Sequence, residues 1–217
     1  MRVLVLNPNA TESMTASIAA AAREAAASDV EIVARTNVDA PPAIQGPEDG
    51  AAAVPGVLAQ IARAAAEGFD AAIIACFDDT GLEEARAGAP IPVIGIGQAA
   101  YLAAMVHGRF SVITTLQVSV PVIEDNIARY GFGGQCARVR ASGLPVLSLE
   151  SAPEAARERL SACATTAARE DGARALVLGC AGMAAFGPAM RAASGLPTVD
   201  GVAAAVGLAR TLVKASA

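Results

Sequence analysis

The 217-residue chain has little of what most enzymes use for acid–base chemistry: one histidine, no tryptophan and 17% charged residues. A single histidine excludes a multi-histidine metal site and makes a histidine-dependent triad remote. Sixteen Lys and Arg against 21 Asp and Glu leave a net charge of −5. The basic residues are scattered and the sequence pI is about 4.9, so there is no footprint for a nucleic acid. Apolar residues make up 54% of the chain, too many for disorder. Ser/Gly linkers, solenoid-period repeats and long charge blocks are missing. One stretch, 87–108, carries no formal charge, yet Gly88, Pro90, Pro92, Gly95, Gly97 and Gln98 interrupt it; no membrane span is expected there. The first residues, MRVLVLNPN, reach Pro8 after four apolar residues, unlike a signal peptide. Four cysteines without close pairing fit reduced thiols and a cytoplasmic protein.

What is present is alternation. Short apolar, β-branched runs at 2–6, 31–34, 71–75, 93–96, 110–114, 137–140 and 175–178 alternate with Ala-rich helical patterns. The helices are expected at 12–27, 51–67, 98–106, 121–130, 153–171 and 201–214. Continuously apolar strands separated by helices predict an α/β fold of parallel sheets flanked by helices on both faces.

The two halves resemble each other. Residues 69–100 and 173–205 share an apolar strand, a Cys at its end, a nearby Gly, an Ala-rich stretch, a Pro-led strand and a helix. From Cys76 to Pro92 is 16 residues, and from Cys180 to Pro197 is 17. Asn7 ends the leading strand of the first half, 69 residues before Cys76; Thr114 and Thr115 end that of the second, with Thr114 66 residues before Cys180. This predicts two pseudo-symmetric lobes, 1–97 with 200–217 and 98–199. Parallel sheets bind ligands beyond the carboxyl ends of their strands, so the cleft between the lobes is the expected active site.

Two facing thiols can do specific chemistry. Strand-end and helix-start N–H groups favour a thiolate and can hold an oxyanion, so both thiols are expected with lowered pKa values. One thiolate removes a proton from a flat acidic carbon and the other thiol returns one to the opposite face. Cys136, expected in a loop, and Cys163, expected mid-helix, do not share this pattern.

NPNATESMT from Asn7, CFDDTGL from Cys76, PVIGIGQAA from Pro92, VITT from Val112, VLGCAGM from Val177 and PTVDGVAAAV from Pro197 resemble the hydantoin/allantoin racemase branch of the Asp/Glu racemase superfamily. The resemblance implies a cofactor-independent two-base racemase acting on a small cyclic ureide. By that analogy Cys76 and Cys180 are the acid/base thiols. Asn7, Thr114 and Thr115 contact substrate; Phe77, Asp78, Ala181 and Gly182 offer backbone N–H groups to ring carbonyls; Ile44 shapes the pocket for the ring substituent. Amino-acid racemases of the superfamily follow their cysteines with small polar residues such as Asn-Thr. Here the followers are Phe-Asp-Asp and Ala-Gly-Met, which favours a neutral ring. Thr80 stands where the branch often has Pro. The same scaffold also admits amino-acid racemisation, maleate-type isomerisation or a non-catalytic binding role. A homo-oligomer is expected, as for many soluble enzymes.

Other motifs have plainer readings. Gly95-Ile96-Gly97-Gln98-Ala99-Ala100 fits a dinucleotide fingerprint, but 118–120 offer no acidic residue for a ribose, which leaves a strand–turn–helix join. Asp78 and Asp79 read as caps or solvated turn residues. Asp200 fits either an N-cap of the last helix or support for Cys180. His107 reads as a helix-end surface residue.

Overall fold

The computed structural model describes residues 1–215. The first sheet is built from β1 (Arg2–Asn7), β2 (Glu31–Thr36), β3 (Ala71–Ile74) and β4 (Val93–Gly95) in the order β2-β1-β3-β4. The second contains β5 (Phe110–Thr114), β6 (Cys136–Ala141), β7 (Ala175–Gly179) and β8 (Thr198–Val199) in the order β6-β5-β7-β8. Every pairing in both sheets is parallel. The helices are α1 (Glu12–Ala25), α2 (Pro47–Ala66), α3 (Leu82–Gly88), α4 (Ile96–Met105), α5 (Ser119–Arg129), α6 (Ser148–Ser151), α7 (Pro153–Glu170), α8 (Gly187–Ser194) and α9 (Gly201–Ala215), with a 3-10 turn at Ala181–Phe186. This is a two-lobed α/β fold.

The central strands β3, β5 and β7 are buried at every position, as expected where helices cover both faces. The edge strands β2 and β6 carry Glu31, Arg35, Arg138 and Arg140, charges that discourage further strand pairing. The apolar core has three main parts. One cluster lies on the outer face of each sheet, under α2 and α3 in the first lobe and under α7 and α8 in the second. The largest joins the lobes through α4 and α9, which pack on each other. At its centre Tyr101 of α4 is fully buried. Its ring stacks on Phe110 at 5.7 Å and meets the edge of Phe77 at 5.6 Å. Aromatic contacts of this kind add about 0.5–1.5 kcal/mol to area burial, and here they lock the residue after Cys76 against the second lobe.

Three differences from the sequence reading have local causes. Cys136 does not lie in a loop: it opens β6, pairing with Phe110. The short α3, α6 and α8 fall in stretches too brief for a helical period to show. Asp79 is not solvated but 5% exposed, and it caps a helix distant in sequence.

Candidate functional site

Cys76 lies just beyond β3. The chain after it turns tightly, with Asp79 N–H donating to the Cys76 carbonyl at 3.0 Å. Asp79 has a left-handed backbone at φ 50°, a conformation Asp tolerates better than most residues. Its carboxylate accepts from the N–H groups of Gly97 and Gln98, each at 2.8 Å, so it caps the N-terminus of α4. This arrangement explains the two glycines of the fingerprint-like segment. A Cβ on Gly95 would lie 2.2 Å from Asp79 Oδ1, and one on Gly97 2.5 Å from the Phe77 carbonyl oxygen. From the other lobe, Asn126 Nδ2 of α5 donates to the Asp78 carbonyl at 2.8 Å. The Cys76 turn is thus held on two sides.

Cys180 follows β7 directly and starts the 3-10 turn, Met183 N–H donating to its carbonyl at 3.0 Å. Gly179 just before it approaches β5 so closely that a Cβ would sit 2.7 Å from the Ile113 carbonyl. Thr114 Oγ1 donates to the Gly179 carbonyl at 3.0 Å, tying the ends of β5 and β7 together.

Both thiols line one small cavity between the lobes, with Ile44, Phe77, Asp78, Thr114, Thr115 and Ala181. Asn7 and Gly182 do not line it. The Asn7 amide is spent inside the loop after β1, where Nδ2 lies 2.9 Å from Asn9 Oδ1 and 3.0 Å from Thr15 Oγ1. Asn9 is the residue it presents to the cavity. Gly182 lies behind Cys180 and its N–H points at that sulfur. The Asp78 N–H serves Cys76 in the same way. Sequence reasoning passed over Asn9, Met14, Ser119 and Val146, which also line the cavity. Asn9 was visible in the Asn-Pro-Asn segment; Val146 gave no signal. Val146 N–H donates to Gln45 Oε1 at 3.1 Å across the cleft, and Val146, Ala43 and Met14 form an apolar cover on Cys180.

The electrostatics reverse one expectation. Both thiols were expected to be acidic, but the cleft walls leave each only partly exposed and strip away much of its water. Burial pushes Cys180 up to about 11 and Cys76 higher still, and the nearby Asp78 carboxylate adds to both shifts. The N–H donors at each sulfur oppose this without overcoming it. Burial alone also raises Asp78 to about 7. The cavity lining contains no Lys, Arg or His. A resting cleft of neutral thiols beside an acidic residue is hospitable to neutral ligands and hostile to anions.

A pH test of stability follows. Below the ordinary carboxylate range Asp78 is protonated whether folded or unfolded. From there to about 7 the folded chain keeps a proton that the unfolded chain releases, so stability falls as pH rises through that window. Asp79, also raised to about 7 by burial, acts in the same direction. Urea midpoints measured from about pH 5 to about pH 8 should decline, and Asp78→Asn should make the decline shallower.

Asp200, the last strand-end acid, caps α9: its Oδ1 accepts from Val202 N–H at 2.9 Å. His107 is exposed beyond the end of α4. Among the described residues no helix is long and apolar enough to cross a membrane.

Fold and site together define a two-lobed α/β protein with a thiol from each lobe in the cleft between them. The family described as Asp/Glu/Hydantoin racemase matches residues 3–209, and the chain belongs to that family. It is 47% identical over 216 residues to a hydantoin racemase of Rhizobium meliloti, covering 99% of this chain and 90% of that protein. A hydantoin racemase of Pseudomonas sp. (strain NS671) is 41% identical over 214 residues, covering 98% and 86%. The structure of an allantoin racemase from Klebsiella pneumoniae superposes with a TM-score of 0.96 at 41% identity, covering 100% of this chain and 89% of that one. The chain is a racemase, an isomerase.

Proposed function

We propose that this racemase interconverts the enantiomers of 5-substituted hydantoins or allantoin without a cofactor, using Cys76 and Cys180 as its two bases. The observation that carries this reading is a thiol at the matching strand end of each sheet, both opening on one cavity that presents no cation. A planar ureide enters with C5 between the sulfurs. The thiolate on one side takes the C5 proton, forming S–H. The electron pair moves into the C4 carbonyl as an enolate. The thiol opposite then gives its proton to the other face of C5 and becomes the thiolate, ready for the reverse direction. Atoms and charge balance with no redox partner, and the cysteines have exchanged protonation states.

With both thiol pKa values raised, the reaction depends on the groups that stabilise each thiolate. The thiolate is scarce at neutral pH but a strong base when formed. The Asp78 and Gly182 N–H groups support it at one sulfur each. Thr114, Thr115, Asn9 and Ser119 supply polar groups for the ring, and Ile44 and Val146 face its 5-substituent. Asn7 acts on substrate through Asn9, whose amide it orients. Four free cysteines suit a reducing cytoplasm. Exposed Leu102, Met105 and Val106 at the end of α4 suit a homo-oligomer.

The test is incubation of optically pure 5-substituted hydantoins, and separately allantoin, in deuterated buffer. Optical rotation should decay while deuterium enters C5, faster at alkaline pH. No decay with any ureide, alongside turnover of an amino acid or maleate, would overturn the reading.

A further inference from the structure

The turn after Cys76 leaves one buried polar atom unaccounted for. Thr80 is 6% exposed. Its neighbours are committed: Asp79 to the N-terminus of α4, and Gly81 to a left-handed turn at φ 72° that starts α3. Thr80 Oγ1 itself is buried with no hydrogen-bond partner formed at rest. Buried polar groups are paired in the great majority of native structures, and an orphan calls for an explanation. Thr80 sits on the tight turn that the Asp79 N–H closes onto the Cys76 carbonyl, which brings its hydroxyl to the Cys76 side of the turn, where it favours the thiolate as a donor would. A neutral thiol is a weak acceptor, whereas an ionised acceptor makes hydrogen bonds about twice as strong as a neutral one.

We propose that Thr80 is a positioning residue for Cys76: its hydroxyl donates to the sulfur when Cys76 becomes the thiolate. The bond that is missing at rest is then completed in the reacting state, where an interaction lowers the barrier rather than merely deepening the ground state.

The environments of the two thiols show why Cys76 needs the help. Cys76 is opposed by burial, by the Asp78 carboxylate on its own turn and by Cys180 across the cleft. Cys180 is opposed by burial and Asp78 only, and each sulfur has one backbone N–H in its favour, Gly182 at Cys180 and Asp78 at Cys76. In a two-base racemase each thiol must serve as base in turn, so thiols of very different basicity leave one direction short of its base. A hydroxyl beside the more hindered sulfur narrows that difference. This proposal rests on the assignment of Cys76 as a base, and its test separates failure of one from failure of the other.

The test is the rate at which iodoacetamide alkylates Cys76 in the free protein, resolved from Cys180 by peptide mass spectrometry, across a pH series. Valine matches threonine in shape and lacks the hydroxyl. In Thr80→Val, Cys76 should alkylate slower by on the order of tenfold at each pH, with Cys180 unchanged as the internal reference. Thr80→Ser should restore the rate. Racemisation should fall for both enantiomers by the same factor, because the equilibrium constant between mirror-image substrates is one. An unchanged Cys76 rate in Thr80→Val overturns the proposal. So does a slowed rate that Thr80→Ser fails to restore, which marks a packing role for the side-chain methyl. A wild-type protein that racemises no ureide overturns the assigned reaction and leaves the alkylation result standing.

Discussion

Replacing Cys76 by Ser should reduce racemisation of an optically pure hydantoin by about 10²–10⁴-fold, the usual worth of a positioned acid or base. One enantiomer should continue to exchange its C5 hydrogen for deuterium with retention of configuration. Each lobe supplies one thiol. Serine preserves the shape of the turn but its hydroxyl is far too weak an acid and base to share a proton with carbon. Cys180 remains, and it reaches only the face of the ring turned toward it. It can take a proton from that face and return one there, but nothing stands opposite to complete inversion. Cys180→Ser should give the mirror result, with the other enantiomer exchanging. Polarimetry and mass spectrometry on the same samples separate inversion from exchange. Equal exchange of both enantiomers in either variant would sink the two-base arrangement. Variants of Cys136 and Cys163, which line no part of the cavity, provide controls with activity near that of the parent.

Removing Asp79 should cost about 1–3 kcal/mol of stability and much of the activity together. Asp79→Ala leaves the N–H groups of Gly97 and Gln98 buried without their acceptor, and an unsatisfied buried donor costs about 1–3 kcal/mol. The loss of two such bonds is partly offset, because Asp79 no longer has to hold a charge away from water. The Tyr130 hydroxyl, which also bonds to this carboxylate, loses its partner too. Activity falls because Asp79 anchors the turn that carries Cys76, Asp78 and Thr80. Asp79→Asn should recover part of both, since it keeps one acceptor oxygen and tolerates the left-handed backbone. Urea denaturation and a racemisation assay on the same preparations read the two effects. A fully stable and active Asp79→Ala would show that α4 and the Cys76 turn are held by packing alone.

Much of the fold was legible because its signals are local. Four- and five-residue apolar runs bounded by turns and separated by helical patterns read as strands of a parallel sheet, and β1, β3, β5 and β7 all lie within a residue of where the runs place them. The matched halves carried the two lobes, since each repeat contains a complete strand–turn–helix unit whose Cys falls at the same point. β8 is two residues long and shows only through its counterpart in the first half. The amphipathic period located the long helices and missed the four-residue α6.

The site was legible less completely. Composition and spacing brought forward Cys76 and Cys180, and the segments around them pointed to their neighbours, because those signals lie in consecutive residues. They could not tell that the Asn7 amide turns inward and leaves Asn9 facing the cavity, since that depends on Thr15 and Thr36 behind it. Nor could they tell that Gly95 and Gly97 are glycines to make room for Asp79 and the Phe77 carbonyl, both on another loop. The direction of the thiol shifts is the clearest case. A strand end followed by free N–H groups predicts an acidic thiol, and those groups are present. What outweighs them is the loss of water when Met14, Ala43 and Val146 close over Cys180 from separate loops, and when the Cys76 turn is pressed between α4 and α5. The local chain determines which donors a sulfur has. How much solvent remains around it depends on every segment that packs nearby, and only the tertiary structure decides that.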